Sequence, residues 1–124
     1  IQDVPSFRPE EAEGIMATIV ENYPNVDSII AANDVQAMVL LKEANEHGLK
    51  VPEDIQIIGY DDITFARLTT PGLSTIAQPI YEMGIIGAEL LLRMINGEKI
   101  SNNNIILPVK FVDRETLRKI ENLK

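Results

Sequence analysis

The chain has 124 residues, 45% of them hydrophobic and 24% charged, which suits one ordinary soluble domain with a genuine core. A formal charge of −8 argues against a surface that grips phosphate backbones, so DNA contact would have to come from elsewhere. There is no cysteine, so disulfides and thiolate metal sites are ruled out, as fits a cytoplasmic protein. No apolar run nears the roughly 18 residues of a membrane span, so no membrane partner is expected. No leader segment is visible, and Ile1 as first residue reads as an internal start.

The first predicted element is a helix that Pro9 opens, with Glu10, Glu11 and Glu13 at its positive end. It should run to about Asn22, where Tyr23-Pro24-Asn25 ends it, with Ile15, Ile19 and Val20 on its apolar face. Ser28 to Ala32 reads as a buried strand. Asp34 is placed to cap a second helix that continues to about His47, with Gly48 at the left-handed stop position. Ile55 to Tyr60 and Leu73 to Ile76 read as two further buried strands. A third helix should span Ile80 to Asn96, with Gly97 after it. Ile105-Ile106-Leu107 and Lys110-Phe111-Val112 read as short strands, or as one strand broken at Pro108. Strand and helix alternate, which is the signature of an α/β domain with a parallel sheet.

Each of the first three strands runs into polar residues: Asn33-Asp34, Asp61-Asp62 and Gln78. Ligands of open α/β sheets sit beyond the carboxyl ends of such strands. Two amides and a carboxylate on one rim are the groups that hold a small polar molecule, although turn and cap chemistry accounts equally well for Asn33 and Asp61. The second helix is unusual in its opening turns, where Val35, Ala37, Met38, Val39, Leu40, Leu41 and Ala44 leave almost no polar face. Such a helix lies between two layers of its own domain or turns its outer side to a second subunit, and Met38 and Leu41 favour the latter.

Ala31-Ala32-Asn33-Asp34, then Gly48 through Ile55, Ile58-Gly59-Tyr60-Asp61-Asp62, and Thr70-Pro71 with Leu73 through Pro79 resemble the lactose repressor (LacI/GalR) family of bacterial transcription regulators. The ending Leu107 to Thr116 is similar to that family's usual ending. The resemblance runs from about Val4 to Thr116, and the stretch Ile58–Pro79 looks most like ribose-type regulators. It implies the C-terminal part of an effector-binding core with the periplasmic-binding-protein-like type I fold, a parallel sheet flanked by helices. It further implies that residues 1–77 and 109–120 belong to one lobe, and that residues 79–107 cross over to another lobe not contained in this chain. The helix-turn-helix that meets operator DNA would also lie outside these residues. Ile80, Met83, Ile86, Leu90, Leu91 and Met94 would then form an exposed patch, so the chain is expected to dimerise or to exchange segments.

Carried over residue by residue, the resemblance implies that Asn33, Asp61 and Gln78 contact the effector and that the ring of Phe7 packs on its apolar face. Asp34 and Asp62 are read as caps. Val35, Met38, Leu41, Leu68 and Thr69 are the implied homodimer interface. The implied effector is a small sugar, with a pentose such as ribose first. Arg67 is the nearest basic residue, but it sits in the implied dimer loop, so a bound phosphate is not suggested.

Three other classes are weighed. Catalysis by Asp61-Asp62 lacks a partner histidine, cysteine or third carboxylate at metal-like spacing, so neither an enzyme nor a cofactor is expected. A phosphate-receiver domain would need its acidic pair after the first strand, and here the pair comes too late. A transport-type sugar-binding protein shares the same lobes and is the serious alternative.

Overall fold

A computed structural model of the chain describes residues 7–100 and 104–119. Residues 4–6 and 101–103, inside the stretches that the resemblance covers, lie outside the described residues, as does residue 120. The described chain separates into two compact units, one holding the residues up to Ala77 together with Phe111 onward, the other Gln78–Lys110.

A four-stranded sheet has the order β1-β2-β3-β4, from β1 (Ser28–Ile30), β2 (Gln56–Asp61), β3 (Ser74–Ala77) and β4 (Lys110–Val112); all but Lys110 of its residues belong to the first unit. The first three strands are parallel, with Ile30 opposite Ile58 and Asp61 opposite Ala77. Helix α2 (Asp34–Glu46) covers β2 with Ala37, Leu40, Leu41 and Ala44, which join Met16, Ile55, Ile57 and Leu73 in the core. The excess of apolar residues on α2 therefore serves its own domain first. β2 alternates between buried and half-buried residues, as expected for a sheet covered more fully on one face. β1 was expected to be buried, but Ile30 is 83% exposed, because β1 is the edge strand and its outer side is open among the described residues.

The expected first helix is split. A 3-10 turn covers Pro9–Ala12, Gly14 takes a left-handed φ of 77°, and α1 (Ile15–Asn22) starts afresh after it. Gly14 has no side chain to cap this new start, so Glu43 on α2 does so instead. Its carboxylate accepts from the backbone N–H of Gly14 at 2.6 Å and of Met16 at 3.2 Å. α2 ends as read from the sequence, with Gly48 at φ 74° and His47 Nδ1 2.8 Å from the Glu43 carbonyl.

The ending Asp113-Arg114-Glu115-Thr116 closes the unit as a polar staple. The backbone N–H of Arg114 donates to Ser74 Oγ (2.9 Å), and its guanidinium reaches the Leu73 carbonyl (2.7 Å) and Asp62 Oδ1 (2.6 Å). Glu115 exchanges two bonds with Gly72, by backbone N–H and by carboxylate. Thr116, fully buried, donates its hydroxyl to the Ile57 carbonyl (2.6 Å) and accepts from the Ser74 N–H (2.9 Å).

The second unit is built on α3 (Ile80–Ile95), which Asn96 and Gly97 (φ 79°) terminate. α3 buries none of its residues: Ile80, Met83, Leu91 and Met94 are exposed and Ile86 and Leu90 half-exposed. The strand expected at Ile105-Ile106-Leu107 does not form. Pro108 withholds a ladder donor just before the three residues that do pair as β4.

Candidate functional site

The carboxyl ends of β1 and β2 carry the polar residues singled out from the sequence. β1 hands over to Ala31, whose N–H continues the ladder to the Ile58 carbonyl at 2.9 Å, and two residues later the chain reaches Asn33. Asn33, not Asp34, is the N-cap of α2: its Oδ1 accepts from the Gln36 N–H at 2.8 Å, the ordinary capping geometry. Its Nδ2 donates to the Phe7 carbonyl at 2.9 Å. These two bonds fix the plane of the amide. Beyond them an Asn amide has a second N–H and a second lone pair, the donor and acceptor that a hydroxyl-bearing ligand uses. Phe7 meets Asn33 through its backbone, and the residue is 73% exposed.

Asp61 ends β2 in a backbone conformation seldom taken by a residue with a side chain, φ 115°, and Asp62 follows at φ 55°. Two successive positive φ angles at non-glycine residues cost about 1–3 kcal/mol each and persist where surrounding contacts over-determine them; such sites concentrate where ligands bind. Asp62 was read as a cap. It is drawn instead into the half-buried ion pair with Arg114 described above, because Arg114 is the one guanidinium that the C-terminal staple delivers to that corner. The following 3-10 turn, Thr64–Leu68, has no side-chain cap.

Asp34 also departs from its expected role. It is fully buried, accepts from Thr75 Oγ1 at 2.5 Å through Oδ1 and from the Ile63 N–H at 2.8 Å through Oδ2. Burial pushes its carboxyl above the usual aspartate range; the two hydrogen bonds pull it back, and the charges of Asp61 and Asp62 push it up further. Gln78 is the first residue of the second unit and follows Ala77 directly.

Of the five residues read as dimer contacts, Leu68 is 67% exposed and Val35 is exposed, while Met38 is half-buried against the core. Leu41 faces inward at 7% exposure, since its position on α2 points it at the core. The Thr69 hydroxyl lies at bonding distance from the carbonyls of Ala66 (3.1 Å) and Pro71 (2.7 Å), which shapes its own loop. Phe65, 62% exposed beside Leu68, was not singled out from the sequence.

A mainly apolar concavity lies elsewhere in the first unit. A groove of about 520 Å³ runs along edge strand β1, lined by Ile15, Ile19, Tyr23, Ile30 and Leu40 among others. Its few polar lining groups, such as Ser28 and Gln36, do not match a polyol as Asn33 and Asp61 do. Among the described residues, no group of three or more His, Cys, Asp and Glu side chains is placed to hold a metal ion. No helix among them is long and apolar enough to cross a membrane.

Comparison with known proteins fits this geometry. Residues 4–117 match a family model described as a periplasmic binding protein-like domain. The chain is 46% identical over 114 residues to a ribose operon repressor of Bacillus subtilis, covering 92% of this chain and 35% of that protein. It is similar to the crystal structure of transcription regulator CcpA of Lactococcus lactis, with a TM-score of 0.84 and 25% identity over 91% of this chain and 41% of that one. It is similar as well to a LacI family transcriptional regulator from Enterococcus faecium with bound ribose, with a TM-score of 0.77 and 33% identity over 94% of this chain and 42% of that one. The chain thus spans about a third of the length of the curated relatives it matches, and those relatives are transcription regulators rather than enzymes. It belongs to the periplasmic binding protein-like domain family, in the form carried by LacI-family regulators.

Proposed function

We propose that this chain is the effector-binding and dimerisation part of a cytoplasmic transcriptional repressor that senses a small sugar, with ribose the first choice. The observation that carries the reading is the placement of Asn33 and Asp61 at the carboxyl ends of adjacent parallel strands, the Asn amide oriented by two bonds and the Asp backbone held at an uncommon φ. An amide donates and accepts, a carboxylate accepts from two hydroxyls, and together they suit a neutral polyol. The bound ribose of the Enterococcus faecium regulator and the names of the ribose operon repressors support the choice of sugar. The resemblance adds Gln78 as a further contact and the ring of Phe7 as an apolar platform.

Regulation then works by population shift. A sugar that binds one arrangement of the regulator better than another moves the equilibrium by its differential affinity and no more. Operator DNA is met by a helix-turn-helix outside these 124 residues, in keeping with the chain's charge of −8. The regulator works as a homodimer that uses Val35, Met38, Leu68 and Thr69. The role is binding, not catalysis.

An amide-shift titration by NMR tests this. The chain is titrated with ribose, a hexose, a sugar phosphate and a purine. The reading expects ribose to move the amides of Phe7, Asn33, Asp61 and Gln78 at millimolar concentration and the purine to leave them still. A spectrum that ignores every sugar, or that answers only to the purine, overturns it.

A further inference from the structure

We propose that Asp34 is the positioning residue of the effector site, the buried strut that sets the distance between the Asn33 amide and the Asp61 carboxylate without touching the ligand itself. This rests on the effector-site reading above. Asn33 stands at the head of α2 and Asp61 at the tip of β2, and no regular hydrogen bonding between a helix end and a strand tip fixes how far apart they lie. Asp34 supplies that link. Its backbone follows Asn33, one carboxylate oxygen accepts from the Ile63 N–H two residues beyond Asp61, and the other accepts from Thr75 Oγ1 on β3. Three elements, α2, the 61–63 turn and β3, thus meet at one side chain with no exposed surface.

Two further observations make the strut specific. β2 passes beneath Asp34 at Gly59, where a side chain of any size is excluded. A Cβ there would collide with Asp34 Oδ1 and would lie 3.2 Å from Asp34 Cα and 3.1 Å from Leu73 Cδ2. The glycine therefore lets the head of α2 settle onto the strand, and φ is not the reason it is needed. Second, the successive positive φ angles at Asp61 and Asp62 are held on the far side by the bond from Ile63 to Asp34 and on the near side by the Asp62–Arg114 ion pair. If the first is removed, the turn loses that anchor and can relax towards ordinary φ values, carrying the Asp61 carboxylate with it.

The test compares the wild-type chain with Asp34→Ala, Asp34→Asn and Thr75→Val by NMR, reading amide hydrogen exchange and ribose affinity together. In D34A the Ile63 amide should lose its slow exchange and the Asn33 and Asp61 amides should shift, while Ile57 and Leu73 keep their protection. Ribose affinity should fall at least tenfold. D34N should recover part of both effects, because an amide oxygen still takes the Ile63 N–H while its NH2 turns to Thr75. T75V, which removes one of the two bonds in nearly the same volume, should weaken ribose about threefold, and it decides the matter if D34A does not fold. Unchanged Ile63 exchange in D34A, or ribose binding as in wild type in D34A or T75V, overturns the proposal. A wild-type chain that ignores ribose overturns the sugar reading instead. Loss of Ile63 protection in D34A would then still support the strut, and its retention would overturn that as well.

Discussion

Thr116→Val is the sharpest test of how the first unit is held together. The side chain is fully buried, and its hydroxyl bridges the Ile57 carbonyl and the Ser74 N–H on neighbouring strands. Valine fills the same volume without the hydroxyl, so no cavity term enters. The cost comes from one buried N–H left unpaired and one carbonyl that loses a bond, about 2–6 kcal/mol together at about 1–3 kcal/mol for each group. With a urea m-value of about 2 kcal/mol/M, the middle of the range for small domains, the midpoint should fall by roughly 1–3 M with m unchanged. Thr116→Ser keeps both bonds and deletes one buried methyl, worth about 1 kcal/mol. The valine variant should therefore unfold at a lower urea concentration than the serine variant. If the valine variant unfolds at the same urea concentration as the serine variant or higher, the hydroxyl does not hold the strands and the reasoning is refuted.

Two further outcomes follow from the same contacts. Burial raises the Asp34 pKa above 3.8, so the folded state keeps that proton to higher pH than the unfolded chain does. Its contribution is then fully present below about 3.8 and is lost as pH rises through the folded value, so wild type should gain stability relative to Asp34→Asn on acidification from pH 7; urea melts of both proteins at pH 7 and pH 4 check this, and a constant difference would contradict it. The apolar residues that α3 leaves exposed should drive the chain to associate at micromolar concentration, giving a species of twice 13.8 kDa in sedimentation velocity that Leu91→Glu disperses; a monomer at all concentrations would speak against association.

Local patterns carried most of the architecture. Gly48 and Gly97 follow their helices as expected, and the three parallel strands overlap the apolar runs that announced them, β2 and β3 each shifted one residue towards the C-terminus. Long-range polar contacts were not legible. A carboxylate four residues from a helix end reads as a solvated face, so nothing in the sequence said that Glu43 caps α1. Asp34 reads as a cap because aspartate after an apolar run usually is one, and only the fold reveals Thr75 and Ile63 against it. A signal for that burial was nonetheless present in Gly59, since a glycine inside a strand often marks a close approach by another group. The Arg114 staple was visible only as part of a familiar ending, because its partners lie some 40 to 60 positions upstream. Asn33 and Asp61 stand out by strand position, whereas the bonds that orient the Asn33 amide and the uncommon φ of Asp61 are visible only in the fold.

The ties between the N-terminal segment and α2 have a consequence for the order in which structure appears. Asn33, Gln36 and Glu43 hold, in turn, the Phe7 carbonyl, the Arg8 carbonyl and the first N–H groups of α1, all from one side of α2. α1 has eight residues, well short of the roughly 12–15 at which an isolated helix becomes even marginal in water. During synthesis the ribosome delivers α1 before its cap exists, so this helix must wait for a later segment to give it a beginning. The N-terminal segment is thus a passenger on α2, and a disturbance at the Asn33 end of that helix has a direct mechanical route to the chain's first described residues.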